Sequence, residues 1–213
     1  MIDSHGFDLW AGDYDRSVSA TDDDNLYPFA GYRALMNAIY RMVMRKNPAT
    51  VLDIGIGTGI LAAKLYECGH HITGIDFSSV MLDKAKKKMP DATFIEHDFT
   101  KGLSPDLQYR KFDFIISTYA LHHLTDEEKT PFILSVLNHV NDNGAIIIGD
   151  VSFQNRSDLE KCKSSCGDKW DDNESYFVFS ELNETLVNKC CLIYHQISYC
   201  SGIVVISPLN GKI

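Results

Sequence analysis

The sequence predicts an α/β fold: a mostly parallel sheet with helices on both faces and an antiparallel hairpin at its C-terminal end. From residue 50 to residue 149, short apolar runs alternate with segments of helical periodicity, which is typical of βαβ units that build a parallel sheet. Two later apolar runs, at 192–199 and 203–206, have almost no connection between them. A parallel crossover needs about a dozen residues or more, so these two strands must pair antiparallel. In such sheets, ligands bind beyond the carboxyl ends of the strands.

Local signals place the elements one after another along the chain. Apolar residues recur at helical spacing from Pro28, which suits a first helical turn, until Asn47-Pro48 ends the helix. Thr125 and Glu128 have the spacing of a capping box ahead of a later helix. Strands are predicted at 51–54, 72–75, 92–95, 112–117 and 145–149. The helices that connect them are predicted at 60–68, 79–89 and 125–140.

The size of the chain favours one domain, because chains of 213 residues usually form a single core. Within it we expect four parts: a helical cap (1–48), a core that binds the cofactor (49–151), an insertion on the substrate side (152–190) and the closing hairpin (191–213). The insertion is polar and helical in places. Its polar and aromatic residues, which the sequence does not rank, are Arg156, Trp170, Asp171, Asp172 and Tyr176.

Composition excludes several classes of function. A formal net charge of −9 argues against nucleic-acid binding by phosphate neutralisation. No apolar run is long enough for a membrane span, and the first residues lack the pattern of a secretion signal, so we expect a cytoplasmic protein. The six cysteines have no spacing typical of a zinc site and are expected to be reduced thiols. We expect a monomer or a homodimer.

A glycine-rich loop follows the first predicted strand, in the segment Asp53-Ile54-Gly55-Ile56-Gly57-Thr58-Gly59. Glycine has no side chain in the way and tolerates positive φ, so such a loop lets the backbone approach a ligand closely. The loop alone also fits a tight turn with no ligand. Asp76, however, stands 21 residues after Gly55 at the end of the second strand, where a carboxylate can accept hydrogen bonds from ribose hydroxyls. Together they predict a nucleoside ligand.

The spacing of the glycines distinguishes between nucleoside ligands. Dinucleotide-binding loops read G-x-G-x-x-G, whereas this loop reads G-x-G-x-G and is preceded by Asp53. A carboxylate at that place repels a pyrophosphate but attracts an ammonium or sulfonium group. The loop therefore points away from NAD, and a nicotinamide-dependent oxidoreductase becomes a minor alternative.

Four segments resemble, in the expected order, the motifs of class I S-adenosylmethionine-dependent methyltransferases. They are VLDIGIGTGIL (51–61), ITGIDFSSVML (72–82), HDF (97–99) and FDFIISTYALHHL (112–124). The resemblance implies a Rossmann-like, seven-stranded sheet and S-adenosylmethionine as the cofactor. It implies cofactor-binding roles for Asp53, Gly55, Gly57, Gly59, Asp76, Phe77, Asp98, Phe99 and Ser117. In that family the first acidic position orients the loop and the ammonium group, the second binds ribose and the third binds the adenine amine.

The N-terminal segment FDLWAGDYDRSV (7–18) is similar to the one that folds over the cofactor in many small-molecule methyltransferases. There, Tyr14 matches an aromatic residue near the methionine part of the cofactor, and Trp10 would lie beside it. Taken over its whole length, the chain resembles the YrrT-like group of bacterial methyltransferases. This likeness favours a small-molecule acceptor.

Methyl transfer is an in-line displacement and needs a correctly placed nucleophile rather than a covalent enzyme intermediate. His122 and His123 are the candidate general bases, although either can instead hold the loop by hydrogen bonds. Tyr119 is the candidate for lining the acceptor site. We see no convincing set of oxygen ligands and predict no metal. A module that binds S-adenosylmethionine or S-adenosylhomocysteine without turnover remains the alternative function.

Overall fold

A computed structural model describes residues 26–209, and the α/β prediction is confirmed in them. The strands are β1 Thr50–Ile54, β2 His71–Asp76, β3 Thr93–Glu96, β4 Phe112–Thr118, β5 Val140–Phe153, β6 Phe177–Val178, β7 Cys190–Gln196 and β8 Ser201–Pro208. The helices within these residues are α1 Tyr32–Val43, α2 Ile60–Glu67, α3 Ser79–Lys88, α4 Asp126–Leu137, α5 Arg156–Cys166 and α6 Phe179–Leu186.

The strand order of the sheet is β3-β2-β1-β4-β5-β8-β7. The first five strands in that order are mutually parallel, and β8 pairs antiparallel with both β5 and β7. This is the predicted parallel sheet closed by an antiparallel hairpin. The two-residue strand β6, which the sequence did not predict, pairs in parallel with the end of β5 and brings the insertion onto the sheet.

Two hydrophobic cores lie on opposite faces of the sheet, because successive side chains of a strand point to opposite sides. Val51 of β1 and Ile147 of β5 pack on the face that carries α1, α2, α3 and α5. Leu52 of β1 and Ile146 of β5 pack on the other face, against α4 and α6. The alternation in these buried strands therefore fixes which residues reach each layer of helices.

The helix ends follow capping chemistry, with one difference from the sequence prediction. The capping box before α4 is present: the backbone nitrogen of Thr125 donates to Glu128 Oε2 at 2.9 Å. The first helix, however, begins at Tyr32 rather than near Pro28. Gly31 has a left-handed backbone with φ of 78°, which a continuous α-helix does not accommodate. The helix also ends at Val43, before the predicted stop at Asn47-Pro48.

We predict that Gly149→Ala destabilises the protein by about 1 to 3 kcal/mol, the usual cost of overpacking a core. A Cβ at this position of β5 would stand 2.5 Å from Leu35 Cδ2 and 2.6 Å from Ile39 Cδ1, both on α1 and both fully buried. Urea denaturation measures the effect. The same substitution in a Leu35→Ala background should cost less, since the added methyl group then has room; equal costs in both backgrounds would contradict the packing explanation.

Candidate functional site

A cleft of about 760 Å³, partly open to solvent, lies at the carboxyl ends of β1, β2 and β4. Because these strands are parallel neighbours, their ends meet at one edge of the sheet, where α/β folds bind ligands. Several predicted site residues line the cleft: Asp53, Gly55, Gly57, Asp76, Phe77, Phe99, Tyr119 and His123. The structure thus brings together residues from all four sequence motifs, the third of which contributes Phe99.

The glycine loop is held against β2 by its backbone. The nitrogens of Gly55 and Ile56 both donate to the carbonyl oxygen of Ile75 at 2.9 Å. Gly55, Gly57 and Gly59 all have positive φ. A Cβ at Gly57 would meet no atom of the described residues within 4 Å, so among them this glycine leaves the wall of the cleft open to a ligand.

The two other glycines of the loop are required by packing. A Cβ at Gly55 would stand 2.5 Å from the Cβ of Ala120, which follows β4. A Cβ at Gly59 would stand 2.7 Å from Met89 Cε, and Gly59 is not among the residues that line the cleft. Gly59 allows α2 and α3 to approach each other, and its predicted contact with the cofactor stays a prediction.

Asp53 is a buried carboxylate in the wall of the cleft. It is 2% exposed, and its Oδ1 atom accepts no hydrogen bond from any residue between 26 and 209. Burial, and secondarily the charge of Asp76, raises the pKa of Asp53 to about 8. A buried acceptor without a partner is rare in native proteins, and an incoming cationic donor satisfies it. This environment fits the ammonium group of an amino acid.

Asp76 connects the glycine loop to the end of β2. Its Oδ2 atom accepts a hydrogen bond from the nitrogen of Gly57 at 2.8 Å, and its Oδ1 atom accepts one from the nitrogen of Ser78 at 2.9 Å. An ionised carboxylate offers about four acceptor sites, so it can accept hydrogen bonds from several donors at once, including hydroxyl groups of a ligand. Because Asp76 also lines the cleft, it can bind a ligand and the loop at once.

Phe99 lines the cleft, whereas Asp98 and Ser117 are not among its lining residues. Asp98 caps a short 3₁₀ turn, where its Oδ1 atom accepts hydrogen bonds from the nitrogen and the hydroxyl of Thr100. Although partial burial acts in the opposite direction, bonds from Thr100 and Lys101 lower the pKa of Asp98. Ser117 donates its hydroxyl proton to the carbonyl oxygen of Ile54 at 2.8 Å, among the side chains of the second core. Their predicted cofactor contacts remain predictions.

Tyr14 and Trp10 lie outside the described residues, so their predicted place near the cofactor stays a prediction.

Aromatic side chains form one wall of the cleft. The Tyr119 ring lies 5.1 Å from the Phe29 ring and 5.5 Å from the Tyr32 ring, centroid to centroid. Tyr119 has φ of 49°, an uncommon value for a bulky residue, and its nitrogen donates to the carbonyl oxygen of Gly149 at 2.9 Å. Burial raises the pKa of Tyr119 well above its usual range, so the hydroxyl stays protonated at neutral pH.

Tyr32 and Met36 of α1 also line the cleft, and sequence reasoning missed them because their helical spacing indicated only packing. The two residues lie one helical turn apart on the same face as Leu35 and Ile39 of the core. No local signal in the sequence distinguished Tyr32 and Met36, which line the cleft, from the apolar residues of α1 that pack in the core.

The two histidines have different surroundings. His123 lines the cleft, whereas His122 lies behind it and places its Nδ1 atom 2.7 Å from Asp150 Oδ1. Burial alone lowers the pKa of His122, but Asp150 and Glu174 raise it by more, so its pKa lies above the ordinary value. Burial, and secondarily the charge on His122, lowers the pKa of His123 to about 4. His123 is therefore neutral at physiological pH.

The insertion supplies mostly packing and surface ion pairs. Arg156 forms an ion pair with Glu181, and Trp170 stacks on Tyr27 with ring centroids 5.3 Å apart.

All six cysteines are free thiols, and the Sγ atoms of Cys162 and Cys166 lie 3.8 Å apart. Within residues 26–209, no helix combines the length and the apolar character that crossing a membrane requires.

Comparison with known proteins places the motifs in context. Residues 51–144 match the family model described as a methyltransferase domain. An uncharacterized methyltransferase of Anoxybacillus flavithermus is 37% identical over 72% of this chain and 69% of its own length. The uncharacterized methyltransferase YrrT of Bacillus subtilis is 36% identical over 70% of this chain and 67% of its own length.

Two solved structures have a similar fold at low sequence identity. The DhpI–SAH complex has a TM-score of 0.71 at 18% identity and covers 99% of this chain and 96% of its own. Magnesium protoporphyrin IX methyltransferase (ChlM) from Synechocystis PCC 6803 with bound SAH has a TM-score of 0.67 at 19% identity, and each chain is covered to 84%. At this identity the likeness concerns the fold.

We predict that Asp53→Asn stabilises the protein relative to wild type as the pH rises from about 4 to 8. The folded-state pKa of Asp53 is raised to about 8, so its contribution to stability is complete only below the unfolded value near 4 and is lost as the pH rises through 8. The relative gain should exceed about 1 kcal/mol, since one unit of pKa shift corresponds to about 1.4 kcal/mol.

Urea denaturation at a series of pH values measures this gain. Asp83→Asn, which removes an exposed carboxylate on α3, is the matched control and should leave the pH dependence unchanged. Parallel curves for wild type and Asp53→Asn would show that Asp53 is not held in an unfavourable environment.

Proposed function

The chain belongs to the YrrT-like group of class I S-adenosylmethionine-dependent methyltransferases, and on this premise we propose that its methyl acceptor is a small molecule. The observation that carries the proposal is the partial enclosure of the cleft. Tyr32 and Met36 of α1 line the same cleft as Gly57 and Asp76, so an acceptor must fit among side chains rather than lie on an open surface. The net charge of −9 also disfavours a nucleic-acid acceptor.

The fit of the cofactor follows from the charges and shapes in the cleft. We assign the Asp53 carboxylate, whose Oδ1 atom has no donor among residues 26–209, to the ammonium group. We assign the backbone at Gly57 to the amino-acid part and Asp76 to the ribose hydroxyls. Phe99, which packs against Phe132 at 5.9 Å between ring centroids, offers an apolar surface for the adenine. When bound, S-adenosylmethionine supplies an electrophilic methyl group on a sulfonium centre.

We assign the acceptor end of the cleft to Tyr119 and His123. A neutral imidazole carries one nitrogen that accepts a hydrogen bond, so His123 can orient an acceptor hydroxyl, thiol or amine and take its proton. Tyr119 stays protonated and limits the room beside the acceptor through its packed ring. Positioning the nucleophile about 3 to 3.5 Å from the methyl carbon is the main requirement of the reaction. His122, the third predicted catalytic residue, is not among the lining residues of the cleft and packs against the ring of His123.

We also place the protein in the cytoplasm, because six free thiols persist in a reducing compartment.

Thermal melting with S-adenosylmethionine, S-adenosylhomocysteine and NADH in parallel tests the cofactor assignment. A ligand at 100 times its Kd adds about 2.7 kcal/mol, which raises the Tm of a domain of this size by about 5 to 11 °C. We expect this shift with the two adenosyl ligands and none with NADH. Methyl transfer from labelled S-adenosylmethionine to a panel of small hydroxyl, thiol and amine compounds then tests the acceptor class. Ligand binding without turnover on proteins or small molecules would favour the non-catalytic binding module.

We predict that Gly57→Ala weakens S-adenosylmethionine binding at least tenfold, equivalent to about 1.4 kcal/mol. The new methyl group stands at the cleft wall, where no atom of residues 26–209 lies within 4 Å. Gly69→Ala is the matched control, since Gly69 also has positive φ and open space but lies at the end of α2 and is not a lining residue.

Both substitutions should lower stability by a similar amount, about 1 to 2 kcal/mol, for a non-glycine residue in the left-handed region. Isothermal titration calorimetry separates the two variants. Equal affinities for S-adenosylmethionine would remove Gly57 from the cofactor site.

A further inference from the structure

His122 lies between two carboxylates that come from distant parts of the chain. Its Nδ1 atom is 2.7 Å from Asp150 Oδ1, and its Nε2 atom is 3.4 Å from Glu174 Oε1, an ion-pair distance. The His122 side chain is 10% exposed, that of Asp150 1% and that of Glu174 24%. A neutral imidazole has one N–H group, so only the imidazolium presents an N–H group to both carboxylates.

The segment that carries Glu174 is held by hydrogen bonds of the two residues that follow it. The nitrogen of Ser175 donates to the carbonyl oxygen of His122 at 2.9 Å, and the Nζ atom of Lys129 donates to the carbonyl oxygen of Ser175 at 2.6 Å. The hydroxyl of Tyr176 donates to Glu174 Oε2 at 2.7 Å, which leaves Oε1 facing the imidazole. Glu174 is therefore a fixed part of the insertion rather than a mobile surface acid.

His122 touches the cleft through its neighbour. The rings of His122 and His123 meet edge to face, with centroids 4.3 Å apart and planes inclined by 64°, and only His123 lines the cleft. The His122 ring therefore forms part of the surface against which the His123 ring packs. Asp150 fixes one end of the His122 ring, and Glu174 fixes the other.

We infer that Glu174 is a positioning residue for methyl transfer: it completes an Asp150–His122–Glu174 bridge that fixes His123 in the wall of the cleft. The inference rests on the proposed function, in which His123 faces the acceptor. It also gives the insertion a role in the reaction. The bridge joins the end of β5 and the end of β4 to the segment before β6.

The charges around His122 make the bridge measurable. The groups that face it are Asp150 of β5, Glu174 and Tyr176 of the insertion, Lys129 of α4 and the neighbouring His123. The two carboxylates raise the pKa of His122 and Lys129 lowers it, beyond the lowering that burial causes. The charge on His122 in turn lowers the pKa of His123. Removal of the Glu174 charge must therefore lower the pKa of His122.

Imidazole ¹⁵N NMR of the full chain, titrated with pH, tests the bridge in Glu174→Gln. We expect the His122 titration to move down by about one pH unit, since an opposite charge at this range shifts a pKa by about 1 to 3 units and Glu174 is partly exposed. Glu174→Asp, which keeps the charge, should give a smaller shift than Glu174→Gln. Glu160→Gln, an exposed position on α5, is the control for loss of one charge and should leave both histidines unchanged.

Two results would overturn the inference. One is an unchanged His122 titration in folded Glu174→Gln. The other is a shift of both histidine signals by one equivalent of Zn²⁺ in the wild type but not in Glu174→Gln, which would make the group a metal site, since donor atoms of His122, His123 and Glu174 lie within 4.8 Å of one another. These titrations need neither S-adenosylmethionine nor an acceptor, so they can fail or succeed independently of the proposed function.

Discussion

The site depends on the bonds that hold the glycine loop to the end of β2. Gly55 and Ile56 donate to the carbonyl oxygen of Ile75, and Gly57 donates to the Asp76 carboxylate. These bonds fix the loop in a conformation with three positive φ angles and place Gly57 at the cleft wall. Because the same carboxylate also faces the cleft, a ligand hydroxyl that binds Asp76 meets a loop already in position. The loop pays its conformational cost on folding rather than on binding.

The same arrangement brings two carboxylates close together in a buried place. The alternation of side chains along β1 places Asp53 in the cleft wall, and Asp76 is the last residue of β2 at the same edge of the sheet. Asp76 is compensated by backbone donors, whereas Oδ1 of Asp53 has no donor among the described residues. The electrostatic cost of Asp53 thus remains in the folded protein. In the assignment proposed above, the ammonium group of the cofactor offsets this cost, and the same carboxylate disfavours a pyrophosphate.

Much of the fold was predictable because its signals are local: the apolar runs, the glycine loop and the capping box at Thr125 act within a few residues. At Ser117, the resemblance to the methyltransferase motifs predicts a cofactor contact, whereas the alternation of side chains along β4 turns the residue to the other face of the sheet. Side chains alternate along β4, so Thr118 reaches the cleft while Ser117 points to the opposite core and bonds to Ile54. The contact of Glu174 with His122 joins residues 52 positions apart and has no local signal. Strand β6 is too short, at two residues, to give a periodic pattern.

The two ends of the cleft differ in the same way: one is built from residues close in sequence, and the other from residues that are far apart. The end of the cleft that we assign to the cofactor consists of the loop after β1 and the end of β2, which lie close together in sequence and carry recognisable motifs. The end that we assign to the acceptor combines α1, the end of β4 and, through His122, the segment before β6. A sequence of this kind therefore specifies its methyl donor by motif, whereas its acceptor is decided by side chains that only the folded chain brings together.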